Sequence, residues 1–166
     1  MRILLWSPFG FAINEKTKYA GIEKLVWQYA SELSKNHEVA VIARSDSVFP
    51  SKVEVFGYQP QLGEDTNIPS ELAAYQLYQS KIFKFDIIHD FSHQHLASRF
   101  YGNLPSLNLF WHAPALAKYP KAPYNIIALS QWACREFQRV YKQKARYQQV
   151  IVIDSAVYTL SARHRN

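Results

Sequence analysis

Short, continuous apolar runs are what most restrict the folds open to this chain. They are RILLW at Arg2–Trp6, EVAVIA at Glu38–Ala43, DIIH at Asp86–His89, SLNLFW at Ser106–Trp111, NIIAL at Asn125–Leu129 and QVIVI at Gln149–Ile153. A strand with one wet face alternates apolar and polar residues. Runs without alternation belong to strands covered on both faces, as in parallel sheets. Val53–Phe56 reads as a further strand. Between these runs lie longer stretches with helical spacing. From Gly21 the apolar residues fall at Ile22, Leu25, Val26, Tyr29, Ala30 and Leu33, with Asn36 as a stop. A second helix starts at Pro69-Ser70 with Leu72, Tyr75, Tyr78 and Ile82 on one side, a third runs over His93–Tyr101, and Ser130 caps a fourth that reaches about Lys144. Strands alternating with helices, joined by right-handed crossovers, predict an α/β fold: a Rossmann-like, doubly wound parallel sheet with helices on both faces.

The chain has 166 residues, about one domain by the length prior. With 48% hydrophobic and 19% charged residues it can build a core and is not of disordered composition. A single cysteine, Cys134, excludes a disulfide framework and reads as a core residue. No apolar run approaches the roughly 20 residues that span a bilayer. The opening MRILLW breaks at Ser7-Pro8, too short for the apolar region of a signal peptide, so a cytoplasmic location is expected. Trp6, Trp27, Trp111 and Trp132 read as packing residues, Trp111 with a second option at a crevice mouth.

Charge is unevenly placed. Residues 1–109 hold 10 Lys/Arg against 11 Asp/Glu, whereas residues 110–166 hold 9 against 2. The basic third contains Lys118, Lys121, Arg135, Arg139, Lys142, Lys144 and Arg146. Such one-sidedness fits an anionic partner such as phosphate groups or an acidic membrane surface, or simply a solvated helix face. Nucleic acid is not expected, because no aromatic-basic recognition motif accompanies the charge.

In open parallel sheets, ligands bind at the carboxyl ends of the strands, where the strand order reverses. Here that edge gathers Ser7–Tyr19, His89–Gln94, His112–Lys121 and Ser130-Gln131. Neither G-x-G-x-x-G nor G-x-x-x-x-G-K-[ST] follows the first strand. Its loop ends in Ala20-Gly21-Ile22-Glu23-Lys24, a single glycine at a helix start. The free amides and dipole there suit a phosphate, although Gly21 serves equally as a tight turn. His89, His93 and His95 stand with Asp90 in HDFSHQH. On a helix, however, His93 and His95 would face different ways, and no metalloprotease spacing is present, so no metal is expected. His89 and His112 each end a strand, a position open to a ligand crevice. A neutral imidazole there can hydrogen-bond a sugar hydroxyl or a phosphate oxygen. Ser130 caps its helix and faces the same edge. No serine sits in a nucleophile elbow.

Taken in order, these segments resemble the N-terminal domain of family 4 retaining glycosyltransferases, one half of a GT-B architecture. The segments concerned are MRILLWSP, AGIEKLVWQYASELSKNHEVAVIA, FDIIHDFSH, LNLFWHAP, NIIALSQWACREF and QVIVIDSAV, which together cover nearly the whole chain. The resemblance implies transfer of a sugar from a nucleotide-sugar donor to an acceptor, a sugar or a lipid-linked one, with retention and without a metal or other cofactor. It implies that His112 contacts the donor sugar and helps stabilise the transition state, and that Gly21 lies near the donor diphosphate. His89 and Ser130 would line the cleft, and the loop after His112, with Lys118, would shape the acceptor site. Residues 1–154 would form the Rossmann-like domain and 155–166 the start of a linker. A C-terminal donor-binding domain, with two glutamates eight positions apart, would complete the enzyme, and the chain alone would be inactive. Two departures from the family pattern stand out: Ala20-Gly21 where Gly-Gly is usual, and Ser155-Ala156 where Asn-Gly is usual. Two rival readings of the same residues are a stand-alone binding or interaction module, and a metal-dependent hydrolase using His89, Asp90, His93 and His112.

Overall fold

The computed structural model of the chain describes residues 1–17, 21–60, 67–93, 95–96, 105–110, 125–128, 130–141 and 150–152. The chain forms two compact units, Met1–Ser106 and Leu107–Asn166. The fold is α/β and Rossmann-like, and the strand pairs within each unit run parallel. The continuous apolar runs account for this, since each pairs edge to edge while helices cover its faces.

In the first unit, β1 (Arg2–Trp6) lies between β2 (Glu38–Arg44) and β4 (Ile87–Asp90), and β3 (Val53–Tyr58) lies outside β2, giving the order β3-β2-β1-β4. Leu5 is level with Val41 on one side and with His89 on the other. Leu4, Leu5 and Trp6 have no exposed surface. The chain runs outward from β1 through α1 (Gly21–Leu33) to β2 and β3, and then α2 (Asn67–Ile82) carries it back to the opposite side of β1. With right-handed crossovers, this reversal puts the two helices on opposite faces. Side-chain packing agrees. Leu4, Trp6, Ala40, Ile42, Phe56 and Ile88 form a core with Ala74 and Ile82 of α2, joined by Tyr75 and Tyr78. On the other face His89 meets Tyr29 of α1. Trp6 stacks on Tyr75 at 6.2 Å and Phe56 on Tyr78 at 5.3 Å, ring contacts that add to the burial of their area.

The buried line of α2 is Glu71, Ala74 and Ile82, with Tyr78 half-buried between them. Of the expected stripe, Tyr75, Tyr78 and Ile82 pack on the core as expected, whereas Leu72 is exposed and the carboxylate one position earlier, Glu71, takes the inward site. Trp132 also departs from its expected packing role, being 55% exposed, whereas Trp6 is fully buried. The third helix was expected to begin at His93. His95 instead has φ 45°, outside the helical region, and helical backbone starts only at Leu96.

The second unit pairs β5 (Ser106–Phe110), which starts at its border, with β6 (Ile126–Ala128), and β6 with β7 (Val150–Val152). Helix α3 (Gln131–Tyr141) connects β6 to β7 and buries Ala133 and Phe137, one turn apart. Ser130 is its N-cap, as expected: the Ala133 backbone N–H donates to Ser130 Oγ at 3.1 Å. Cys134 is half-buried. Trp111, Leu129, the continuation of this helix to Lys144 and the 155–166 segment lie outside the described residues. Among the described residues, no helix is long and apolar enough to cross a membrane.

The two described glycines that begin α1 and lie within β3 differ in surroundings. A Cβ on Gly57 would stand 2.9 Å from the Ser45 Cα, a backbone atom that cannot swing aside, whereas a Cβ on Gly21 would meet nothing within 4 Å. Gly57→Ala is therefore expected to lower the unfolding free energy by about 1–3 kcal/mol through overpacking. Gly21→Ala should leave it nearly unchanged. Urea titration of both variants checks the contrast.

Candidate functional site

The reversal of strand order between β1 and β4 leaves a crevice position at their carboxyl ends, all of it within the first unit. The two strands stay together up to this edge, because the Phe91 backbone N–H donates to the Trp6 carbonyl at 2.8 Å. Ser7 follows β1 and is buried. Its N–H donates to the Ile42 carbonyl at 3.0 Å and its hydroxyl to the Pro8 carbonyl at 2.7 Å. At the last position of β4, Asp90 is fully buried and its Oδ1 accepts the Ser92 N–H at 2.8 Å, which folds the chain into a tight turn.

Two helices bring carboxylates to this region. Gly21 is the first residue of α1, exposed and with open space beside it. Two residues on, Glu23 is buried, and burial raises its carboxyl above the ordinary range. Its own backbone N–H and the nearby His93 pull in the opposite direction. From the first turns of α2, Glu71 reaches inward with no exposed surface, and its Oε1 lies 2.8 Å from both the backbone N and the ring Nδ1 of His93. The His93 side chain is 20% exposed. Glu71 thus bonds His93 and Glu23 interacts with it electrostatically, in the loop that follows β4.

His89 occupies a different environment from the one its position at a strand end predicted. The strand continues through Asp90, and side-chain alternation turns the His89 ring under α1 rather than toward an open crevice. It is 5% exposed, 4.9 Å from the Tyr29 ring and 4.1 Å from Phe91. Burial lowers its pKa to about 4, and its Nε2 has no hydrogen-bond partner among the described residues. His95, 3% exposed, is lowered to about 3 by burial and by the charge of His93.

Of the other sequence-predicted residues, Gly21 sits at the helix start as expected, Ser130 stands in the second unit as a cap, and His112 and Lys118 lie outside the described residues. Among the described residues, no three His, Cys, Asp or Glu side chains gather into a group able to hold a metal. Sequence reading passed over Glu23 and Glu71, although a signal existed. Glu23 falls in line with Val26 and Ala30, and Glu71 with Ala74 and Ile82. An acidic residue on the apolar stripe of a helix is a local conflict of the kind that functional sites carry.

No protein-family model matches the chain, and no curated protein matches it in sequence. Among solved structures, a sucrose-phosphate synthase from Thermosynechococcus elongatus is similar, with a TM-score of 0.54, covering 99% of this chain and 95% of that one at 12% sequence identity. At that identity the likeness is one of fold.

The buried histidines set an acid limit on the fold. Their folded pKa values, about 4 and about 3, lie below the ordinary 6.5. The unfolded chain therefore binds protons that the folded one refuses. Stability is expected to fall as pH drops below about 6.5 and to level off near pH 3–4, with Glu23 working in the opposite sense. At pH 5 each histidine costs about 2 kcal/mol relative to neutral pH. Urea unfolding at pH 7.5 and pH 5 measures this, and His89→Phe should remove about half of the histidine contribution.

Proposed function

We propose that the chain is the acceptor-side, Rossmann-like domain of a glycosyltransferase that moves a sugar from a nucleotide-sugar donor to an acceptor with retention. The observation that carries this reading is the convergence of Gly21, Glu23, Asp90 and His93 on the carboxyl edge at the β1–β4 reversal. Support comes from the fold likeness to a sucrose-phosphate synthase, itself a glycosyltransferase, and from the order of the six sequence segments.

In this reading the exposed start of α1 at Gly21 receives the donor diphosphate, because helix-terminal amides and the dipole favour an anion and the glycine lets it approach. Positive groups and helix termini, rather than a metal, stabilise the leaving diphosphate. His89 shapes this edge from beneath its surface. The loop carrying Lys118 borders the acceptor, and a second, donor-binding domain completes the site. His112 hydrogen-bonds the donor sugar and stabilises charge in the transition state. His112→Ala in the full-length protein should lower nucleotide-sugar turnover by about 10²–10³-fold, the usual cost of losing one such group. Turnover near the wild-type rate would remove His112 from the reaction.

An anionic membrane surface is a further partner that one observation favours. On α3, Trp132 is 55% exposed, and Arg135 and Arg139 follow at spacings of three and seven on the same side of the helix, both exposed, Arg139 also paired with Glu136 at 2.8 Å. An amphipathic ring beside guanidinium groups suits a headgroup layer. The chain should cosediment with phosphatidylserine-containing vesicles, weaken at high salt, and lose binding in a Trp132→Ala/Arg135→Glu variant. Equal sedimentation with pure phosphatidylcholine vesicles would count against the basic face.

A further inference from the structure

At the opposite edge of the sheet, the amino ends of β1, β2 and β3 and the end of α2 border a hollow of about 420 Å³, all within the first unit. Register and alternation place its walls. Leu4, Trp6, Ala40 and Phe56 pack toward α2, so Arg2, Glu38 and Glu54 fall on that same face of the sheet. Ala40 is level with Leu4 on one side and Glu54 on the other, and its small side chain leaves the floor low between them. Helix α2 stops at Ile82. The Lys84 N–H then donates to the Lys81 carbonyl at 3.1 Å and the Phe85 N–H to the Ile82 carbonyl at 3.2 Å, turning the chain along the hollow before β4.

Four cations line this hollow, Arg2, Lys52, Lys81 and Lys84, against the two carboxylates Glu38 and Glu54. The last turn of a helix favours a cation, and Lys81 stands there in α2. The dipole does not account for Lys52, which precedes β3. Arg2 is paired with Asp86 at 3.4 Å. Among the described residues, no ion pair joins the three lysines to Glu38 or Glu54, although they share one lining. Lys81 is nevertheless held in place. Its Nζ lies 4.7 Å from the centre of the Phe56 ring and 5.7 Å from that of Tyr78. Tyr78 is itself fixed by stacking on Phe56 and by donating its hydroxyl to the Gly57 carbonyl at 2.5 Å. Ring faces attract an ammonium without cancelling its charge, so Lys81 is positioned and still able to meet an anion.

Beneath the charges the lining is apolar. Ala40 and Phe56 are buried, and Phe85, half-buried, meets Phe56 edge-on at 6.1 Å. Apolar concave surface with a few convergent charges is the common make-up of small-molecule sites, whose volumes run from about 300 to 1,000 Å³. An inorganic anion would leave the floor uncovered, and a neutral apolar molecule would leave the lysines without a counter-charge. We propose that this hollow binds a small phosphate monoester with a flat apolar body, an aryl phosphate or a nucleoside monophosphate. The phosphate pairs with Lys81 and the cations around it, and the body lies against Ala40 and Phe85. A phosphate monoester carries a charge of about −1.5 to −2 at neutral pH, which the surplus of cations over carboxylates takes up. The site lies at the other end of the strands from the β1–β4 crevice and stands apart from the reading of that crevice.

Amide NMR of the chain tests this with AMP and phenyl phosphate as ligands, and with adenosine and inorganic phosphate as partial ones. At least one monoester should shift the amides of Ala40, Glu54 and Phe85 saturably and bind at least tenfold more tightly than adenosine or inorganic phosphate. Lys81→Ala should weaken that binding about tenfold, the value of one charge-assisted hydrogen bond. Glu54→Gln, which removes a repelling carboxylate, should strengthen it about twofold. Both side chains are exposed, so both variants should keep the fold, and opposite changes in affinity exclude a general loosening. The proposal is overturned by the absence of a saturable shift with either monoester, or by inorganic phosphate binding as tightly as both. Shifts confined to the carboxyl edge around Gly21, or unchanged affinity in Lys81→Ala, overturn it as well.

Discussion

Burial of β1 on both faces is the constraint from which the first unit follows. Leu4 and Trp6 face α2, Leu5 faces α1, and none of the three retains exposed surface. Fully burying each such side chain contributes about 1.5–3 kcal/mol, so a strand of this kind is stable only with a helix on each side and a strand along each edge. Those four neighbours are α1, α2, β2 and β4. Once they are in place, the chain has to leave β1 in one direction and return on the other, and the reversal that results is the crevice.

The same constraint explains why the buried polar groups are costly and yet held. Interior positions at the ends of β1 and β4 are occupied by Ser7, Glu23, Glu71, Asp90 and Ser92, in a shell where unpaired polar groups are strongly unfavourable. Part of the bonding that offsets this is local, Ser7 closing on Pro8 and Asp90 on Ser92, whereas Glu71 reaches His93, 22 positions along the chain. Three groups here lack such a bond among the described residues: Trp6 Nε1, the Ser92 hydroxyl and His89 Nε2. The His89 ring lies among Tyr29 and Phe91, neutral at ordinary pH.

How far the site could be read in advance depends on which periodicity governs each residue. Gly21 and Ser130 were legible because a helix start has a local chemical signature. His89 was misplaced by a single residue of strand: one further pairing, Trp6 with Asp90, changes an expected crevice residue into one under a helix. Glu71 was missed because apolar Leu72 beside it extends the stripe of Tyr75, Tyr78 and Ile82 in the sequence pattern, and only packing turns Glu71 rather than Leu72 inward. The sequence pattern alone places the start of a helix at His93. The φ of His95 delays that helix and leaves His93 in the loop, where Glu71 can reach it.

The sequence by itself determined the α/β class, the parallel pairing, the placement of most strands and the capped start of α3. These depend on continuous apolar runs, helical spacing and one side-chain oxygen, all of them interactions between near neighbours in the chain. Only the tertiary structure decided which histidines are buried, which face of α2 points inward, and that Glu71 and His93, 22 positions apart, share one hydrogen-bonded oxygen. Those outcomes depend on burial and on contacts between distant segments, which local pattern does not encode.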